Sequence, residues 1–110
     1  MLRDYETSES SYKKILDYDG NDFLALNNLA TLYERTEKPE ASVDLYTKLT
    51  TLYPDNYEAI RDTIRVLTDL KRNDEALKAL ENFSQNFPEE KKTDDFNNFV
   101  SQMYESLHKS

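Results

Sequence analysis

The sequence predicts an all-α protein built from antiparallel helix-turn-helix repeats, and three observations carry that prediction. Pro54 and Pro88 stand 34 residues apart, and the apolar and small residues before them recur at the same offset. Leu26 is followed by Ile60, Ala30 by Ile64, Tyr33 by Leu67, Ser42 by Ala76, Tyr46 by Leu80, Leu49 by Phe83 and Tyr53 by Phe87. One glycine and three prolines in 110 residues leave little turn chemistry for a loop-rich fold, and a charged fraction of 33% is what exposed helix faces carry.

Counting back by 34 puts Ser8, Tyr12, Ile15, Tyr18 and Gly20 in the slots of Ser42, Tyr46, Leu49, Leu52 and Pro54. Residues 4–20 are therefore expected to form the second helix of an incomplete unit. Its start, with Thr7, Ser8, Ser10 and Ser11, is a weak helix former, and fraying is expected there. Residues 21–54 form the first full unit. Leu26, Leu29, Ala30 and Tyr33 fall at i, i+3, i+4 and i+7, one face of a helix that Asn21 or Asp22 can cap. Residues 36–38 are a tight connection. Pro39 opens the partner helix, because its fixed φ and missing N–H suit a first turn, and Val43, Tyr46, Leu49 and Leu52 follow until Pro54 ends it.

Residues 55–88 repeat the plan. Asp55 or Asn56 caps a helix carrying Ile60, Ile64 and Leu67, and Asn73 caps one carrying Ala76, Leu80, Phe83 and Phe87 before Pro88 stops it. The register then slips by two residues across residues 89–95, after which Phe96, Phe99, Val100 and Met103 take the places of Leu26, Leu29, Ala30 and Tyr33. Thr93 caps this last helix, and Asp94 and Asp95 favour its positive end. Residues 93–108 are expected to cover the open apolar end, completing one domain over residues 1–110.

Composition narrows the function. Absence of cysteine removes disulfide frameworks, thiolate zinc sites and a cysteine nucleophile, and suits a cytoplasmic setting, with a periplasmic one equally open. No apolar run approaches the ~20 residues that cross a bilayer, and the polar residues 3–11 lack the core of a secretion signal. No membrane insertion is expected. A net charge of -8 opposes docking on phosphate backbones, so no nucleic acid is expected either.

Asp17, Asp19, Asn21 and Asp22 cluster like a calcium loop, but the glycine and the twelfth residue, Asn28, miss the EF-hand pattern, and a turn between helices explains Gly20. His108 is the single histidine, close to the chain end, with no partner motif for general base work. Asn82-Phe83-Ser84 fits a glycosylation acceptor inside a predicted helix and reads as coincidence. Of the eight tyrosines, Tyr12, Tyr33 and Tyr46 occupy packing slots, whereas Tyr5, Tyr57 and Tyr104 are less constrained. No phosphate loop, nucleophile elbow or spaced histidine pair occurs, so the chain is read as no enzyme, with no metal and no cofactor.

The segment Ala-Leu-Asn-Asn-Leu-Ala-Thr-Leu-Tyr from Ala25 onward, with Leu26, Leu29, Ala30, Tyr33, Ser42, Tyr46, Leu49 and Pro54 in signature slots, resembles a tetratricopeptide repeat, and residues 57–88 fill a second unit less faithfully. Thr63 replaces a leucine and Ile64 a small residue, with Ala76 opposite it compensating in volume. The resemblance implies a short right-handed superhelix whose first helices line a concave groove for a peptide or helix of a partner. Mapped onto those helices, the groove-facing candidates are Asn27, Asn28, Thr31, Arg35, Glu58, Arg61, Asp62, Arg65 and Asp69. Arg61 and Arg65, one turn apart, suit carboxylate recognition, or else pair with Asp62 and Asp69 on a solvated face. The chaperone-tail clamp of the family is matched by Asn28 alone, and Glu58 and Asp62 would repel such a tail.

The functional expectation is a protein-interaction module that binds a protein or peptide partner in the groove, read as a piece of a larger repeat protein. The alternative is a self-associating structural scaffold, a homo-oligomer formed through the uncovered N-terminal end. Packing offers a further expectation: Ala30 lies at the helix crossing, whereas Glu34 reads as an outward site.

Overall fold

Short polar caps and strained turns set out the helices. In the computed structural model, which describes residues 2–109 and the side chains of 5–108, the Asp22 carboxylate accepts the Ala25 N–H at 2.9 Å and starts α2 (Phe23–Arg35). At the same place 34 residues on, the Asn56 side chain accepts the Ala59 N–H at 2.9 Å and starts α4 (Tyr57–Asp69). Upstream lies α1 (Leu2–Tyr18), helical through its Ser- and Thr-rich stretch; α3 is Pro39–Leu52, α5 Asn73–Asn86 and α6 Asp94–Lys109, with a 3-10 turn at Glu89–Lys91. Thr93 Oγ1 accepts the Phe96 N–H at 3.1 Å and caps α6. No strand occurs among the described residues, and no helix among them is long and apolar enough to cross a membrane.

Both helical hairpins turn through a residue in the left-handed region, Glu37 at φ 60° and Lys71 at φ 63°. The next N–H then reaches back over the helix end, Lys38 to the Tyr33 carbonyl at 2.8 Å and Arg72 to the Leu67 carbonyl at 2.9 Å. This closes the orphan carbonyls without glycine. The second turn corrects one expectation: Asn73 is not a cap but the first residue of α5, preceded by Arg72, whose guanidinium pairs with Glu75. Because Arg72 directly follows the left-handed residue, its own carbonyl takes the Ala76 N–H at 2.9 Å and the helix begins one residue early.

The chain divides into two compact units, one up to Leu52 and one from Tyr53 onward. In the first, α2 packs against both α1 and α3. Ala30 and Ser42 are fully buried, and the small pair lets helices approach closely. Tyr12 and Leu16 of α1 pack with Tyr5 on a cluster of Leu29, Leu32 and Tyr33. Ile15, in the slot where Leu49 is fully buried, is 44% exposed, because α1 turns Tyr12 and Leu16 toward α2.

In the second unit α5 packs against α4 and α6. Ile64 and Ala76 are both fully buried. Thr63, where a leucine would be usual, is buried with its hydroxyl donating to the Ala59 carbonyl at 2.7 Å. Phe96 of α6 stacks on Phe87 with ring centroids 4.2 Å apart and meets the Tyr57 ring edge-on at 5.6 Å. Asp55 caps nothing; it pairs with Lys91, whose hydrogen bond holds the Asp55 carboxyl below its ordinary range.

Candidate functional site

Three of the candidate residues on α2 come together. Asn28, Thr31 and Arg35 share a helix face with Leu32, and that face meets Tyr5, Ser8 and Tyr12 of α1 in a cleft of about 260 Å³. Asn28 and Arg35 are exposed at its rim, and Arg35 makes no ion pair among the described residues. Asn27 does not line the cleft; it is half-buried, and its carbonyl accepts the Thr31 hydroxyl at 3.0 Å.

Thr31 also lies 3.2 Å from the Tyr46 hydroxyl, which donates to Glu34 Oε1 at 2.7 Å. Helical side chains lean toward their own N terminus, so Tyr46 reaches back along α2 toward the α2–α3 turn. Glu34 is therefore not an outward site; it is half-buried and holds a core tyrosine.

A second polar group fixes α1 on α2. Glu9 accepts from the Tyr33 hydroxyl at 3.0 Å and pairs with Lys13 at 2.9 Å. Lys38, 3.9 Å from Glu9, sits 5.6 Å from the centre of the Tyr33 ring. The hydrogen bond from Lys13, then that from Tyr33, holds the Glu9 carboxyl below its ordinary pKa. Burial, then the bond to Glu9, pushes the Tyr33 phenol up. The cleft wall is thus positioned by charge as well as by packing.

In the second unit, Arg61 and Arg65 border a cleft of about 350 Å³ with Phe99 and Met103 of α6. Both guanidinium groups are engaged on their own helix. Arg61 lies 5.7 Å from the Tyr57 ring centre and 3.9 Å from Asp62; Arg65 is 3.5 Å from Asp62 and 3.8 Å from Asp69. Asp62 thus serves the two arginines, and Glu58 is exposed. Asn98 and Gln102 line the adjoining space beside Tyr57 and Arg61. Tyr5, Tyr12, Phe99 and Met103 are the lining residues that the sequence reading missed. The spacing of Tyr12, Phe99 and Met103 marks them for packing and leaves Tyr5 unconstrained, and nothing in the helix period separates a core wall from a cleft wall.

The acidic cluster before α2 is spent on chain geometry: Asp19 Oδ1 accepts the Asn21 N–H at 3.0 Å, and Asp22 caps α2. Among the described residues no group of three His, Cys, Asp or Glu is placed to hold a metal ion. His108 stacks on Tyr104 with centroids 6.0 Å apart.

Caps and left-handed turns repeated at one spacing define a helical-hairpin repeat protein. The family model of the tetratricopeptide repeat matches residues 24–56. Among solved structures, the chain is similar to the crystal structure of MamA, with 20% sequence identity and a TM-score of 0.69 over 96% of this chain and 56% of that one. It therefore spans a little over half the length of that neighbour. No curated protein matches the sequence. The repeat and the fold support a protein-interaction module in general, and such folds are typically non-catalytic.

Proposed function

We propose that the chain holds a peptide or helix of a protein partner against a first-helix face, that of α2 in one unit or that of α4 in the other. The observation that carries this is the α1–α2 cleft, where Asn28, Thr31 and Arg35 meet two half-buried tyrosines. Rigid aromatic walls with a few polar groups at the rim suit segment binding, because tyrosine offers area at low entropic cost. The test is selection of peptides from a random display library against the whole chain, followed by titration of the isotope-labelled protein. Resonance shifts are expected at Asn28 and Arg35 or at Arg61 and Arg65. Shifts confined to exposed residues of α5 such as Lys78 and Glu81 would overturn the reading.

A second reading, self-association, draws support from the first unit. Among the described residues, Ile15 (44% exposed), Tyr18 (95%), Leu24 (68%) and Leu52 (36%) are its exposed large hydrophobic side chains. Such side chains mark contact surfaces when they gather. Sedimentation at micromolar concentration tests this, and a strictly monomeric chain would end it.

A further inference from the structure

We infer that the α1–α2 cleft selects partner segments that carry a carboxylate beside a bulky apolar side chain. This rests on the reading that the chain binds partner segments on a first-helix face, and it names what the α2 face prefers. Among the described residues, Arg35 is the single charged one lining the cleft. It has no ion-pair partner among the described residues, unlike Arg61 and Arg65, which lie within 4 Å of the carboxylates of Asp62 and Asp69. In a chain of net charge -8 a guanidinium without an ion pair among the described residues, beside otherwise uncharged described lining residues, favours an anion, and its planar fork matches a carboxylate through two parallel hydrogen bonds. Two described carboxylates on α1 and α2 are engaged by other groups, Glu34 by Tyr46 and Glu9 by Lys13 and Tyr33.

Spacing then constrains the segment. Asn28 and Arg35 are two helical turns apart on one face, a rise of about 10 Å at 1.5 Å per residue. An extended chain covers that distance in about three residues. A carboxylate on Arg35 therefore leaves a backbone amide roughly three residues away within reach of the Asn28 side chain, and an intervening apolar side chain faces Tyr5, Tyr12 and the buried Leu32.

The experiment uses the full chain, isotope-labelled, and three capped seven-residue peptides: one with a central phenylalanine flanked by glutamates, and its glutamine and lysine twins. The glutamate peptide should shift the Asn28 side-chain amide and the Arg35 Nε resonance and bind about tenfold or more tightly than the glutamine twin, the gain of a charge-assisted pair. Arg35→Gln should remove that preference, so that the glutamate peptide binds no more tightly than its glutamine twin, while the helical circular dichroism is unchanged. Arg35→Lys should keep part of it. A glutamate preference that survives Arg35→Gln, or that moves resonances of Arg61 and Arg65 instead, overturns the inference. Twins that shift the cleft as strongly as the glutamate peptide leave partner binding standing and sink the carboxylate preference alone. If none of the three moves either cleft, both fall.

Discussion

The Ser42 hydroxyl donates to the Ala30 carbonyl oxygen at 2.9 Å, and both residues are fully buried where α2 meets α3. Close approach at this point needs small side chains on both helices. Ala30→Phe should therefore overfill the contact and cost about 1–3 kcal/mol or more, whereas the same change at exposed Asp44 should stay within about 0.5 kcal/mol. Ser42→Ala should cost only about 0.5–1.5 kcal/mol, since it deletes one hydrogen bond without adding volume. Urea titration of the three variants checks the order, and equal midpoints for Ala30→Phe and Asp44→Phe would contradict it.

Glu34→Ala should destabilise by about 1–3 kcal/mol, because the fully buried Tyr46 loses the carboxylate that accepts its hydroxyl. Glu34→Gln keeps an acceptor and should recover most of that. Tyr46→Phe in the Glu34→Ala background should then be nearly neutral, since the donor needing a partner is gone. A double-mutant cycle with no coupling would rule the contact out as a stabilising one.

Much of the helix order was legible because repetition at 34 residues tests itself: Asp22 and Asn56 cap matching helices, and Glu37 and Lys71 turn matching hairpins. Burial followed period as well, from Leu26, Leu29 and Ala30 to Ile60 and Ile64. What stayed hidden depends on side-chain reach across a helix contact. Period alone set Glu34 outward, yet Tyr46 is long enough to reach it. It could show Arg61 and Arg65 on one face within pairing range of Asp62 and Asp69, but not that Arg61 also lies over the Tyr57 ring, nor that Tyr5 and Tyr12 wall a cleft beside Arg35. Choice between neighbouring caps was also open from sequence; Asp55 is drawn away by Lys91, distant in the chain, and Asn56 takes the role.

Glu37 and Lys71 are non-glycine residues in the left-handed region, a conformation that crowds a Cβ atom. Glu37→Gly and Lys71→Gly should each stabilise by about 0.5–1 kcal/mol, the relief of strain exceeding the entropy that glycine adds to the unfolded chain. Alanine at either site keeps the crowding and should give no gain. Thermal unfolding of the two glycine variants and their alanine counterparts measures the difference.

Stability should fall in acid through Glu9. Its folded pKa lies below the ordinary glutamate value of about 4.3, chiefly through the Lys13 hydrogen bond and then that from Tyr33. The contribution is fully present above the ordinary value and is lost as pH falls through the lowered one. Glu9→Gln can still accept from Tyr33 but has no charge for Lys13. The variant should be less stable than the parent at neutral pH, and the two should converge in strong acid. Parallel urea midpoints across that range would show that Glu9 does not couple α1 to α2.

Phe96 anchors α6 to the rest of its unit, 1% exposed, stacked on Phe87 and edge-on to Tyr57. Phe99, only half-buried, meets Tyr57 at 5.9 Å and faces the cleft. Phe96→Ala should therefore cost about 3–5 kcal/mol, a large share of the margin of a small domain, and Phe99→Ala distinctly less. The loss should be local before it is global, because α6 packs chiefly on α5 and joins it through the short charged segment 89–95. Limited proteolysis should open that segment in Phe96→Ala while α1 to α3 keep their hydrogen-exchange protection. Cleavage at 89–95 appearing equally in Phe99→Ala, or protection lost uniformly across the chain, would show that the aromatic stack is not what fastens the last helix.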